Sequence, residues 1–319
     1  MKSLKQHVRT WLRAWLCVGA ATVVAGCGGG GTSQIDPFVP TRLVVFGDEA
    51  SLLTSDGKKY SINDVDTVTG ALRCGNNPLW VQSLSDMYRL TFAECNPDAN
   101  AAPPARMFAA AGAKVADVRA QLDRFFSVST LDSKTLVAMM AGTNDVLELY
   151  RQFPAQSRDS LVAAAGAAGR LMADQVNRIA DAGGRVIIVT MPDMGLSPFA
   201  LKERIAKGDI DRAAFLTELS AAFNRELRLA MIQDGHFVGL VLADEAVQSI
   251  VKFPSAFGFA NATEAACLST VAPKECTNKT LLADASANGW LWATDTWLSP
   301  GGQARIGALA QTRARSNPF

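Results

Sequence analysis

The chain has 319 residues, 49% of them hydrophobic and 19% charged, with a formal net charge of +1. That is enough apolar matter for one large or two modest domains and excludes disorder for most of the length, while 25 Gly and 13 Pro exclude a collagenous or low-complexity chain. Only two histidines occur, His7 and His236, so a zinc site of several imidazoles is excluded and imidazole-dependent catalysis has two candidates.

The first segment reads as an export signal. Met1 to Arg13 carries Lys2, Lys5, Arg9 and Arg13 without an acid, and Ala14 to Gly26 is an apolar run of 13 residues. That length suits a signal-peptide core and is too short for a stable membrane span. The run ends in Val24-Ala25-Gly26-Cys27, which resembles a bacterial lipobox. The resemblance implies a lipoprotein signal over residues 1–26, lipidation of Cys27, and a tether over residues 27–40 whose Gly28 to Ser33 part is flexible. An ordinary signal peptide ending near a Cys is the alternative. Gly28, rather than Asp, after the Cys implies sorting to the outer membrane, on its periplasmic or cell-surface face.

Cleavage would remove four basic residues, leaving 27 Lys+Arg against 30 Asp+Glu and a charge near −3. No Lys/Arg cluster with interleaved aromatics remains, which argues against nucleic acid as a partner. His7 leaves as well. With Cys17 and Cys27 set aside, Cys74, Cys95, Cys267 and Cys276 remain, and an even number in an exported chain suggests disulfides. Cys74 with Cys95 and Cys267 with Cys276 are the sequence-local pairings among three connectivities; buried free thiols are the alternative.

Four apolar runs, Arg42 to Phe46, Leu136 to Ala141, Arg185 to Met191 and Phe237 to Ala243, read as buried parallel strands because they do not alternate with polar residues. Between them lie helical patterns. Ser157 to Ala182 places Leu161, Val162, Ala165, Leu171, Met172, Val176 and Ile179 on one face and stops at Gly183-Gly184. Asp211 to Gln233 does the same with Phe215, Leu219, Ala222, Phe223, Leu227 and Met231, and Pro300 opens a last helix to about Gln311. The alternation predicts an α/β fold, a three-layer α/β/α flavodoxin-like sandwich with a mainly parallel sheet, in one domain over residues 41–319. Asn96 to Pro104 and Phe253 to Ala287 are expected to be long surface loops near the site face, each clipped by a disulfide.

In such a sheet the ligand crevice lies at the carboxyl ends of the strands. The informative motifs fall there: Phe46-Gly47-Asp48-Glu49-Ala50-Ser51-Leu52, Ala141-Gly142-Thr143-Asn144-Asp145, and Met191-Pro192-Asp193-Met194-Gly195. Together with Phe108 to Ala113, Phe223-Asn224 and Ala293-Thr294-Asp295-Thr296-Trp297-Leu298-Ser299-Pro300, their order resembles the SGNH/GDSL esterases and lipases over nearly the whole mature chain. The resemblance implies an ester hydrolase without cofactor or metal. It makes Asp295 the triad acid, the Gly112 N–H and the Asn144 amide the oxyanion donors, and Asp48 and Gly142 supporting residues.

Two departures follow. The family's nucleophile, third in G-D-S, is Glu49 here, and its His, three residues after the Asp, is Leu298. A hydroxyl needs an imidazole to take its proton, and the imidazole needs a carboxylate to orient it. Neither hydroxyl nor imidazole remains. Ser51 points away from the nucleophile direction by the turn of a helix. His236 falls at the amino end of its strand, on the wrong edge of the sheet, and Ser299 is expected to cap the last helix. The Glu49 carboxylate, starting beside donors aimed at negative charge, is expected to accept hydrogen bonds from Gly112 and Asn144, with a solvated Glu49 as the alternative. A Glu49–Asp295 carboxylate pair for acid–base chemistry is a further alternative.

The residue pattern therefore predicts a lipid-anchored, monomeric esterase homologue, catalytically impaired, whose pocket takes an acyl-ester, lipid or acylated-glycan ligand. An active esterase with a non-standard nucleophile and a non-catalytic structural or adhesive lipoprotein are the rivals. Asn261-Ala-Thr263 and Asn278-Lys-Thr280 read as loop residues; Trp80, Trp290 and Trp292 read as core, and Trp297 is expected at the crevice mouth.

Overall fold

A computed structural model describes residues 37–319. The assignments of residues 1–26 as signal and of Cys27 as a lipidated residue lie outside them. Five parallel strands form the central sheet: β1 (Arg42–Gly47), β2 (Ala105–Met107), β3 (Thr135–Met140), β4 (Arg185–Val189) and β5 (Val238–Val241), in the order β2-β1-β3-β4-β5. The α/β class and parallel sheet expected from the sequence are those observed.

Alternation along the strands sorts the core into two layers, because successive side chains leave opposite faces. Leu43, Val45, Leu136, Ala138, Ile187 and Val189 pack beneath three helices, α1 (Trp80–Met87), α7 (Ala243–Lys252) and α8 (Pro300–Ser316). Val44, Phe46, Val137, Met139, Val186 and Ile188 face α2 (Val115–Val128), α3 (Thr143–Arg151), α4 (Arg158–Asp181) and α6 (Arg212–Ala230). A further helix, α5 (Pro198–Ala206), follows the loop after β4. Both faces of the sheet are covered, which is why the strands read as continuous apolar runs.

Helix boundaries follow their caps. Ser157 accepts from Ser160 N at the start of α4, Asp211 from Ala214 N at the start of α6, and Ser299 from Gly302 N at the start of α8. The buried stripe of α4 runs through Leu161, Ala165, Met172, Val176 and Ile179, but Leu171, expected on it, is 51% exposed. Leu171 precedes Met172 by one residue and so lies about 100° around the helix from it. Helix α8 continues past Gln311 because Ala310 and Ala314 extend its buried face, and it ends at Asn317-Pro318.

Two expectations about irregular segments need correction. The segment from Phe253 to Ala287 is not simply loop: it contains 3-10 turns at Pro254–Phe257 and Pro273–Glu275 and a strand, β6 (Asn261–Ala265). Strand β6 pairs in parallel with β7 (Trp290–Trp292), so Asn261 begins a strand instead of lying in a loop. Residues 37–40, placed in the tether, pack on the folded unit: the Phe38 ring meets Phe319 edge-on at 5.3 Å and the Arg185 guanidinium covers it.

Disulfides join Cys74 to Cys95 and Cys267 to Cys276. The first closes a long connection held by an unexpected interior cation. Lys59 is fully buried, and its ammonium donates to the carbonyls of Cys74, Asn76 and Asn77 at 3.1, 2.6 and 2.9 Å. Among the described residues no helix is long and apolar enough to cross a membrane.

Candidate functional site

The turn after β1 is fixed by its glycine. Gly47 has φ +139°, and a Cβ there would stand 2.0 Å from the Met140 carbonyl oxygen, so no larger residue fits. The buried Gln121 side chain of α2 holds the same residue from the other side: Gly47 N donates to its Oε1 at 2.8 Å, and its Nε2 donates to Gly47 O at 2.9 Å. Asp48 follows, fully buried. Its Oδ1 accepts from Ala50 N at 3.0 Å, while its Oδ2 has no partner. Burial first, then the charge of Glu49, pushes its pKa well above the carboxylate range.

Glu49 is only 7% exposed and does not turn into solvent. Its Oε1 accepts from the Gly112 N–H at 2.6 Å, and its Oε2 accepts from the Asn144 amide Nδ2 at 2.8 Å. Gly112 is presented by the loop after β2, which continues the sheet's hydrogen bonding through Phe108 N to Val45 O and Ala110 N to Gly47 O. Asn144 lies in the first turn of α3, and its Nδ2 also donates to Ala113 O at 3.1 Å, so both amide protons are engaged. Gly142 caps α3 at φ +122°, where a Cβ would meet the Phe223 ring at 2.6 Å. The two donors that the sequence placed around a developing oxyanion thus converge on one carboxylate of the protein itself.

Asp145 ties α3 to α2. Its carboxylate accepts from Val115 N, at the N-terminus of α2, at 3.3 and 3.1 Å, and burial pushes its pKa up to about 6. The hydrogen bond from Val115 and the Lys114 charge act in the opposite direction without overcoming it.

Asp295 is held by a cation. Both its oxygens take hydrogen bonds from the Lys202 ammonium of α5, at 2.7 and 2.9 Å, and its carbonyl accepts from Phe199 N. Among the described residues no hydrogen bond links it to Glu49 or Asn144. A nearby ammonium is a stronger draw for an exposed carboxylate than a second negative group. Leu298 is 4% exposed within the core cluster, and its carbonyl accepts from Ser61 Oγ at 2.9 Å.

The other hydroxyls and the imidazole are engaged elsewhere. Ser51 is fully buried, with its Oγ accepting from Trp80 Nε1 at 3.1 Å. His236 is exposed and bonds Asp234 Oδ1 at 2.9 Å ahead of β5, on the amino edge of the sheet. Trp80, Trp290 and Trp292 are buried, and so is Trp297, which packs in the core instead of standing open at a crevice mouth.

Sequence reasoning missed three contributors. Gln121 and Lys202 sit on ordinary helical faces, and nothing in their neighbourhoods marks them. Tyr60 carries the third: its phenol pKa is raised by partial burial and by the Glu49 charge, which puts the ring in that carboxylate's field. Among the described residues no three His, Cys, Asp or Glu side chains converge as metal ligands.

The doubly wound parallel sheet thus presents paired backbone and amide donors beyond the carboxyl ends of its strands, where such sheets carry their ligand crevice. The family model of the GDSL-like lipase/acylhydrolases matches residues 43–282, and the chain belongs to that family. Among solved structures it is similar to an acetyl xylan esterase from Geobacillus stearothermophilus, with a TM-score of 0.42 and 12% identity over 88% of this chain and 97% of that one. It is similar also to the acetyl xylan esterase AlAXEase, with a TM-score of 0.43 and 10% identity over 85% of this chain and 98% of that one. A lipolytic G-D-S-L family protein from Veillonella parvula gives 0.38 and 10% identity over 86% and 95%. Among curated proteins none matches this chain.

Proposed function

We propose that the chain is a GDSL-family protein that has exchanged ester hydrolysis for ligand binding, exported and held at the outer membrane through a lipid on Cys27. One observation carries this reading: the Glu49 carboxylate bridges the Gly112 N–H and the Asn144 amide. In a hydrolase those donors must be free to receive charge that develops in the transition state, where each contributes about 3 to 4 kcal/mol. Here the Glu49 carboxylate fills them, and among the described residues no imidazole stands near to activate a hydroxyl or water. An acyl-ester, lipid or acylated-glycan ligand would bind beside the turn without being cleaved, since loss of a nucleophile and base removes rate more completely than affinity.

Hydrolysis of p-nitrophenyl acetate and butyrate by the folded protein tests the catalytic part. The reading requires turnover at the level of buffer and of Asp295→Ala. Turnover well above buffer that Asp295→Ala abolishes would overturn it. For the anchor, Cys27→Ala should release the protein from membranes and stop incorporation of labelled palmitate; a protein that stays membrane-bound without Cys27 contradicts lipid anchoring.

A further inference from the structure

Pro37, Phe38 and Val39 form one wall of a cavity of about 420 Å³. The opposite wall is Met87, Tyr88 and Arg89, at and just past the end of α1, with Arg315 from the last turn of α8. No acidic side chain lines it. The guanidinium of Arg185, the first residue of β4, covers the Phe38 ring, and Thr41 N donates to Lys134 O just ahead of β3. The cavity therefore lies at the amino ends of the strands. Glu49 follows the other end of β1, whose six residues span about 20 Å.

Arg89 and Arg315 are both exposed, and among the described residues neither has a carboxylate within ion-pairing distance. Arg315 donates through Nε to Met87 Sδ at 3.0 Å, and its charge acts on the Tyr88 phenol, which sets the guanidinium against the cavity wall. Most of its five N–H donors are left over. The Tyr88 hydroxyl is buried and has no hydrogen-bond partner among the described residues, so a further donor in that wall is unsatisfied. Val39, on the facing wall, is 55% exposed. Two uncompensated cations beside an exposed apolar side chain are complementary to the boundary of an anionic bilayer, where phosphates lie over the acyl chains.

We infer that this face docks on an anionic phospholipid bilayer, with Arg89 and Arg315 on lipid phosphates and Val39 against the headgroup layer. A bilayer presents many phosphates, so the two arginines need not share one. The inference rests on the lipid anchor proposed at Cys27, which brings the membrane within reach. Pro37 follows Cys27 by ten residues, at most about 35 Å of extended chain, and is itself part of the cavity wall. Docking there turns the carboxyl ends of the strands, and Glu49 with them, away from the lipid, so the Glu49 site takes its ligand from the aqueous side.

Co-sedimentation of the full chain carrying Cys27→Ala with phosphatidylglycerol or phosphatidylcholine vesicles, at low ionic strength, tests the inference without the anchor. Phosphatidylglycerol should bind at least about tenfold more tightly than phosphatidylcholine. Arg89→Gln with Arg315→Gln should weaken phosphatidylglycerol binding at least about tenfold, the effect of two charges near an anionic surface, and Val39→Asp should weaken it as well. Arg204→Gln with Lys207→Gln, exposed at and just past the end of α5, should leave it within about twofold, because charges at the carboxyl edge lie beyond a screening length from the docked face. Melting temperatures within about 2 °C of the parent would establish that the variants are folded. Equal binding to the two lipids, or binding untouched by the Arg89–Arg315 pair, would overturn the inference. So would glycerol 3-phosphate binding or dimerisation through that pair in a protein that ignores vesicles. Palmitate incorporation reads the anchor and vesicle binding reads this face, so the two proposals fail separately.

Discussion

The carboxylate of Glu49 lies 2.6 Å from Gly112 N through one oxygen and 2.8 Å from Asn144 Nδ2 through the other. On the proposed reading, a side chain at the nucleophile position thereby fills the place of the charge that the nucleophile would have generated. Such bonds to an ionised acceptor are about twice as strong as neutral ones, and the first turn of α3 adds its own positive field.

Removing that carboxylate should therefore cost stability. Glu49→Ala is expected to lower the unfolding free energy by about 1–2 kcal/mol, since two donors lose their partner. Urea unfolding measures it. A change within about 0.5 kcal/mol is what a solvated surface Glu would give and would contradict the bridging role.

Restoring chemistry takes more than one change. Glu49→Ser alone should leave p-nitrophenyl acetate turnover at background, because no imidazole can accept the hydroxyl proton. Glu49→Ser with Leu298→His should give measurable turnover. Adding Lys202→Met should raise it at least about tenfold, because Asp295 is otherwise occupied by the Lys202 ammonium and cannot orient the new ring. In the parent, Lys202→Met should change stability by less than about 1 kcal/mol, as the pair is largely exposed. A single Glu49→Ser variant as active as the double would show that Leu298 is not the base position.

The site's buried acids set a pH dependence of opposite sign to that of a salt-bridged carboxylate. In the folded state Asp145 is raised to about 6 and Asp48 well above its usual value, so both bind protons more tightly folded than unfolded. Their contribution to stability is fully present below about pH 4, where both states are protonated, and is lost as pH rises through the folded values. Asp145 should account for a fall of about 2–3 kcal/mol between pH 4 and 7. Asp145→Asn, whose amide oxygen can still accept from Val115 N, should flatten that part of the profile, and Asp48→Asn should raise stability at pH 7. An Asp145→Asn profile as steep as the parent's would refute the assignment.

Much of this architecture was legible because burial on both sheet faces leaves an unbroken apolar signature, as in Arg42 to Phe46 and Arg185 to Val189. The convergence of Glu49, Gly112 and Asn144 was legible too, since the three positions belong to separate blocks of one family pattern. What escaped depends on contacts with no local trace. Strand β2 is three residues long and takes its register from β1. Lys202 meets Asp295 across 93 residues, and Leu171 looks apolar enough for the core but sits one step around the helix from it. Lys59, a cation in a chain segment rich in polar residues, gave no sign of being interior.

Lys59 supplies a further test. Its buried ammonium satisfies three backbone carbonyls, so Lys59→Met should destabilise the fold by about 2–4 kcal/mol in thermal or urea unfolding. A loss below about 1 kcal/mol would mean that the connection to Cys74 does not depend on it.

The amide proton of Gly112 reports most directly on the central claim. A short hydrogen bond to an ionised carboxylate should place its NMR resonance well downfield of ordinary loop amides, and Glu49→Ala should return it upfield while amides on β4 and β5 stay in place. A Gly112 resonance at an ordinary position, unmoved by Glu49→Ala, would contradict the account.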